Sequence, residues 1–65
     1  MIDVGKCLRL AQAEKNVTAT ELAGRMGIKY QQIVRWRQAE TLKLSTIEDL
    51  ADHLGYNVYD FLRLK

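Results

Sequence analysis

An all-α domain of five short helices is what the chain predicts, and three observations carry that reading. Apolar residues recur at three- and four-residue intervals instead of alternating with polar ones. Asn16, Gly27 and Gly55, residue types that accept the left-handed conformation in which many helices stop, punctuate the chain at helical lengths. Neither Asn-Gly nor Asp-Gly occurs, so no short hairpin turn is signalled.

The first helix is expected over about Val4 to Lys15, where Val4, Cys7 or Leu8, Leu10 and Ala11 share helical spacing and Asn16 closes the run. Thr18-Ala19-Thr20-Glu21 has the form of a capping box, in which the Thr18 hydroxyl accepts from the backbone three residues on while Glu21 reaches back. A second helix therefore starts there, turns Leu22, Ala23 and Met26 inward and stops at Gly27. Residues 30 to 38 make the third, with Ile33 and Trp36 on its inner face and Tyr30, Gln31, Val34 and Arg35 on another. Ser45 and Glu48 repeat the capping spacing around a fourth helix that carries Ile47, Leu50, Ala51 and Leu54 and ends at Gly55. Asn57 and Asp60 introduce a short fifth helix with Val58, Phe61 and Leu62, which runs into the basic tail Arg63 to Lys65.

At 65 residues the chain buries only about 60% of its unfolded surface, so nearly every apolar residue is needed for the core and little remains for a deep ligand pocket. A hydrophobic fraction of 48% with 28% charged residues fits a folded domain and excludes a disordered or low-complexity chain. No stretch rich in Gly, Pro or Ser interrupts it, and residues 1–65 read as one domain. Cys7 alone cannot close an internal disulfide, and with His53 it offers too few ligands for tetrahedral zinc. No cofactor, metal or small-molecule ligand is expected, Cys7 reads as core filler, and a reducing cytoplasm is the expected compartment. Apolar stretches of two or three residues fall far short of the roughly 20 that span a membrane, and the N-terminus has no leader-like pattern.

Charge is segregated along the chain. Residues 25–43 hold Arg25, Lys29, Arg35, Arg37 and Lys43 against Glu40, a local balance of +4, whereas residues 44–62 hold Glu48, Asp49, Asp52 and Asp60 and no Lys or Arg, a balance of −4. The positive stretch coincides with the third helix, which only Gly27, Ile28 and Lys29 separate from the second. Two short helices joined by a three-residue turn containing Gly form a helix-turn-helix, whose second helix can enter a major groove about 12 Å wide. Small Ala23 lets the two helices approach, and Ile33 and Trp36 anchor the second helix so that its opposite side faces a partner.

These residues resemble the Cro/repressor-type (XRE-like) helix-turn-helix family. The resemblance covers roughly residues 4 to 62 and rests on Val4-Gly5, Leu8, Val17-Thr18, Glu21-Leu22-Ala23, Gly27, Ile33, Arg35-Trp36, Thr46-Ile47, Leu50-Ala51, Leu54-Gly55 and Phe61-Leu62 in that order. It implies a compact five-helix bundle, the lambda-repressor-like DNA-binding fold, and a sequence-specific regulator of double-stranded DNA. Carried onto matching positions, it implies backbone contacts from the start of the second helix, at Thr18 and Thr20. Base contacts are implied for Lys29, Tyr30, Gln31, Val34 and Arg35, with Gln38 at the far end. The chemistry agrees: Gln31 can pair with adenine, Arg35 with guanine and Val34 with a thymine methyl, at about 1–3 kcal/mol of discrimination each. Lys43 extends the basic stretch.

Three departures from the family pattern stand out. Ala19 replaces a Gln common at the first position of the second helix, and Ala39 replaces a Gly after the third. Gln12 and Arg37 stand where members often pair an Arg in the first helix with a Glu near the end of the third, which leaves Arg37 expected to be free to face phosphate.

The resulting expectation is a phage, prophage or plasmid repressor that occupies a palindromic operator as two copies on half-sites about 34–36 Å apart. Leu62, Leu64, Tyr56 and Tyr59 are the residues expected to join the copies. The competing reading is a protein-interaction module, such as an antitoxin or anti-regulator, that uses the acidic fourth helix. An enzyme is disfavoured, because Cys7, His53 and the pair Asp49 and Asp52 form no recognisable catalytic set.

Overall fold

The computed structural model describes residues 2–64. Five α-helices follow one another along the chain: α1 (Val4–Lys15), α2 (Ala19–Met26), α3 (Tyr30–Arg37), α4 (Leu44–Leu54) and α5 (Val58–Leu62). Among the described residues no strand occurs.

Three of these helices end in the same way. Asn16, Gly27 and Gly55 take left-handed conformations with φ of 56°, 69° and 81°. In each case the next residue donates its N–H back five residues, Val17 to the Gln12 carbonyl, Ile28 to Ala23 and Tyr56 to Ala51. The left-handed residue itself donates to Ala13, Gly24 or Asp52. This paired pattern satisfies carbonyls that a helix end would otherwise leave open, and the following apolar residue folds back onto the core. Val17 is buried, and Ile28 and Tyr56 pack against the buried cluster.

The starts are more varied. Thr18 accepts from the Glu21 N–H at 3.1 Å while the Glu21 carboxylate accepts from the Thr18 N–H at 3.3 Å, so the expected capping box forms. Asn57 accepts from the Asp60 N–H at 2.8 Å, as expected for α5. The Ser45–Glu48 box does not form: α4 begins at Leu44, its N-cap is Lys43, and no side chain caps it. A cap contributes about 1 kcal/mol, less than the packing of Ile47, Leu50, Ala51 and Leu54, all buried on one face. The helix therefore takes the start that suits its core face, and Leu44 is left 63% exposed.

Helix α1 is the hub. It packs against α3, α4 and α5, while α2 packs against α3 and α4. Leu8 and Ala11 of α1 meet Leu22, Ile33, Leu50 and Phe61, one from each other helix, in a single buried cluster. Trp36 lies half-buried against that cluster and Cys7 within it, as expected. The Cys7 thiol donates to the Leu64 carbonyl at 3.3 Å, which ties the C-terminal segment to α1. Burial pushes this thiol up from its ordinary pKa, with the Asp3 charge adding to the shift.

Candidate nucleic-acid interface

Helix α3 leaves α2 through a turn that only a residue free at positive φ enters without strain, and Gly27 occupies it. Ile33 is fully buried at the centre of α3, and Trp36 adds a second inner anchor one turn later. With that side fixed against α1 and α2, the opposite side projects outward. Tyr30 is 50% exposed, and Lys29, Gln31, Arg35 and Gln38 are exposed as well. Val34 is half-buried, so a flank and not the whole of its side chain reaches the surface. The acidic residues of α4 and α5 do not cover this side, because α3 rests on α1 and α2.

The start of α2, at Ala19, lies at the opposite end of that helix from the turn. Thr20 is exposed, whereas the Thr18 hydroxyl is engaged in the capping box, 3.2 Å from the Glu21 carboxylate. Lys43 is exposed as the N-cap of α4, beyond the loop that follows α3. The structure thus brings Lys29, Tyr30, Gln31, Arg35 and Gln38 onto one open stretch, with Lys43 outside that helix.

Arg37 departs from expectation. Its guanidinium is not free: Nη1 donates to Gln12 Oε1 at 2.9 Å. Gln12, only 3% exposed, donates in turn from Nε2 to the Val17 carbonyl at 3.2 Å. The physical reason is that Gln12 lies on the inward stripe of α1 with Val4, Leu8 and Ala11, where an amide without partners would cost about 1–3 kcal/mol. Arg37 supplies the donor that the buried oxygen needs. The family's charged pair is thereby replaced by a charge-assisted hydrogen bond from the opposite helix.

A second close contact holds the same end of α3. The first free N–H groups of α1 do not face solvent; Val4 donates to the Glu40 carbonyl at 3.0 Å and Gly5 to Ala39 at 2.8 Å. A Cβ on Gly5 would fall 2.5 Å from the Ala39 oxygen and 2.6 Å from the Arg37 oxygen, so only glycine allows this approach. Helix α3 ends without a left-handed residue, at Gln38 with φ −107°. The last turn tightens instead: the Gln38 N–H donates to the Arg35 carbonyl and the Ala39 N–H to Trp36, both at 3.2 Å, so the helix ends without positive φ and Ala39 stands without strain where the family has Gly.

Sequence reasoning singled out neither Gln12 nor Gly5 as holding α3 in place. Both carried a signal: a polar residue in an apolar stripe, and a glycine inside the first turn of a helix where alanine would be favoured. His53 turns back onto its own helix, Nδ1 2.8 Å from the Asp49 carbonyl oxygen. The expected joining surface is reduced, since Tyr56, Leu62 and Leu64 pack on the chain's own core and only Tyr59, 70% exposed, projects.

Residues 8–65 match a family model described as a Cro/C1-type HTH DNA-binding domain. No curated protein and no solved structure matches the chain significantly. The matched segment contains the whole α2–turn–α3 unit and most of the core that supports it, while Val4, Gly5 and Cys7 lie just before it. With most of its length inside that match and an open basic helix after the turn, the chain belongs to the Cro/C1-type helix-turn-helix DNA-binding domain family and is a DNA-binding regulator.

Proposed function

We propose that the chain is a repressor of a phage, prophage or plasmid that binds a specific operator in double-stranded DNA and blocks transcription by occupying it. Helix α3 enters the major groove. Gln31 and Arg35 read base edges, Val34 lies against a thymine methyl, and Tyr30 and Lys29 contact the backbone at the near end with Gln38 at the far end. Thr20 and Lys43 add backbone contacts around the groove, while Thr18, expected to join them, holds the start of α2 through its capping box. One domain of this size makes few contacts, so two copies occupy half-sites about one helical turn apart on a palindromic operator.

The observation that carries this reading is the uncovered outer side of α3, held rigidly by Ile33 and Trp36 within a stretch of +4 local charge. Selection of bound sequences from a random duplex pool tests it. A defined motif with two-fold symmetry is expected, with affinity falling steeply as salt rises. Arg35→Ala should cost about 1–3 kcal/mol and relax preference at one position of each half-site. A pool that yields no motif, with binding insensitive to salt, would overturn the proposal in favour of a protein-binding module.

A further inference from the structure

We propose that Gln12 is a positioning residue for DNA binding: it holds the Arg37 guanidinium in place for a backbone phosphate beside α3. The inference rests on the DNA reading given above and goes beyond it by assigning a role to a buried residue that touches no DNA. At about 100° per residue, Arg37 lies roughly 20° around the helix from Tyr30 and 40° from Ile33. It therefore sits on the border between the outer and the buried sides, which is the flank where a groove-bound helix meets backbone and not base edges. Its half-burial agrees with that border position.

Two hydrogen bonds in series fix the arrangement. The Val17 carbonyl takes the Gln12 Nε2 donor, so the amide is oriented with Oε1 toward α3. Arg37 Nη1 fills that oxygen, and the planar guanidinium is thereby fixed in direction. Val17 immediately precedes Thr18, the N-cap of α2, so the amide that orients Arg37 is itself anchored beside the entry of α2. Nε and Nη2 remain for a phosphate, and because the side chain is already ordered, less conformational entropy is lost when the contact forms. Bonding to a neutral amide leaves the cation's charge uncompensated, whereas a carboxylate partner would offset it with a negative charge.

The test is a double-mutant cycle on duplex affinity across salt concentrations, using the wild type, Gln12→Met, Arg37→Met and the double variant, with melting temperature recorded for each. Arg37→Met should weaken binding about three- to tenfold and reduce the salt slope by about one. Gln12→Met should weaken binding and flatten the slope in the wild-type background but add nothing to Arg37→Met. Equal losses from Gln12→Met in both backgrounds, or a fall in melting temperature with no change of slope, would reduce Gln12 to a structural residue and overturn the inference. A measurement on the unmodified protein serves if Gln12→Met does not fold: nuclear relaxation of the Arg37 Nε–H should show a restricted side chain, and a freely mobile one overturns the inference. Failure of the wild type to bind duplex DNA at all would instead strike the parent proposal.

Discussion

Helices α2 and α3 flank the same turn, yet their C-terminal ends are held by different means. Helix α2 stops itself: Gly27 turns left-handed, Ile28 folds back, and both closing hydrogen bonds lie within six residues. Helix α3 has no left-handed residue; the Gln38 and Ala39 amides tighten its last turn, and the segment beyond is pinned from outside by the Val4 and Gly5 amides and by Gln12, residues that lie 25 or more positions away in the chain. The difference teaches where the orientation of α3 comes from. Its near end is set by local turn chemistry and its far end by α1, so α1 acts as the splint that aims the outward face.

The largest expected effect strikes the splint. Gly5→Ala places a methyl against backbone oxygens of residues 37 and 39 that cannot move independently. A loss of about 2–4 kcal/mol is expected, and with it a fall in melting temperature of roughly 10 °C or more, since 1 kcal/mol corresponds to about 4–8 °C in a domain of this size. Gly27→Ala is the matched control at the other end. Nothing lies within 4 Å of its new Cβ, so the cost is conformational alone, about 1–2 kcal/mol. Equal destabilisation by the two substitutions in thermal melts would break the contrast between packed and local termini. Asn16→Gly sharpens it from the favourable side: with φ already at 56°, glycine should raise stability by about 0.5 kcal/mol without altering any tertiary contact.

The same contrast explains what was legible in the sequence. Self-contained devices could be read directly, because each occupies a short window with its own residue signature. Asn16, Gly27 and Gly55 stop helices where expected, and the Thr18–Glu21 box and Asn57 start them. Ile33, Leu50, Phe61 and their neighbours were legible as core through their spacing. Ser45 shows the limit of window reading, since its local signature was outweighed by the buried face of α4.

In the candidate site, Lys29, Tyr30, Gln31 and Arg35 could be placed outward because helical geometry and the Ile33–Trp36 anchor decide it. Arg37 could not. Whether an arginine at a helix border is free or bonded depends on which atom of another helix reaches it, and one-dimensional spacing carries no such distance. Gln12 in an apolar stripe signalled that some donor must approach, and the family resemblance pointed to position 37, but neither said that a hydrogen bond takes the place of the charged pair. Leu62, Leu64 and Tyr56, expected to join two copies, illustrate the reverse case: they are partly buried against the chain's own core by the return of the C-terminal segment.

The proposed function stands on the outer side of α3 being the surface that meets DNA. Titration of the isotopically labelled protein with a duplex drawn from the selected pool, followed by backbone amide shifts, tests it most directly. Shifts concentrated at residues 18–20 and 29–38 are expected, with the later turns of α4 and all of α5 nearly unmoved. Shifts centred on Glu48, Asp49, Asp52 and Tyr59, with α3 silent, would contradict it.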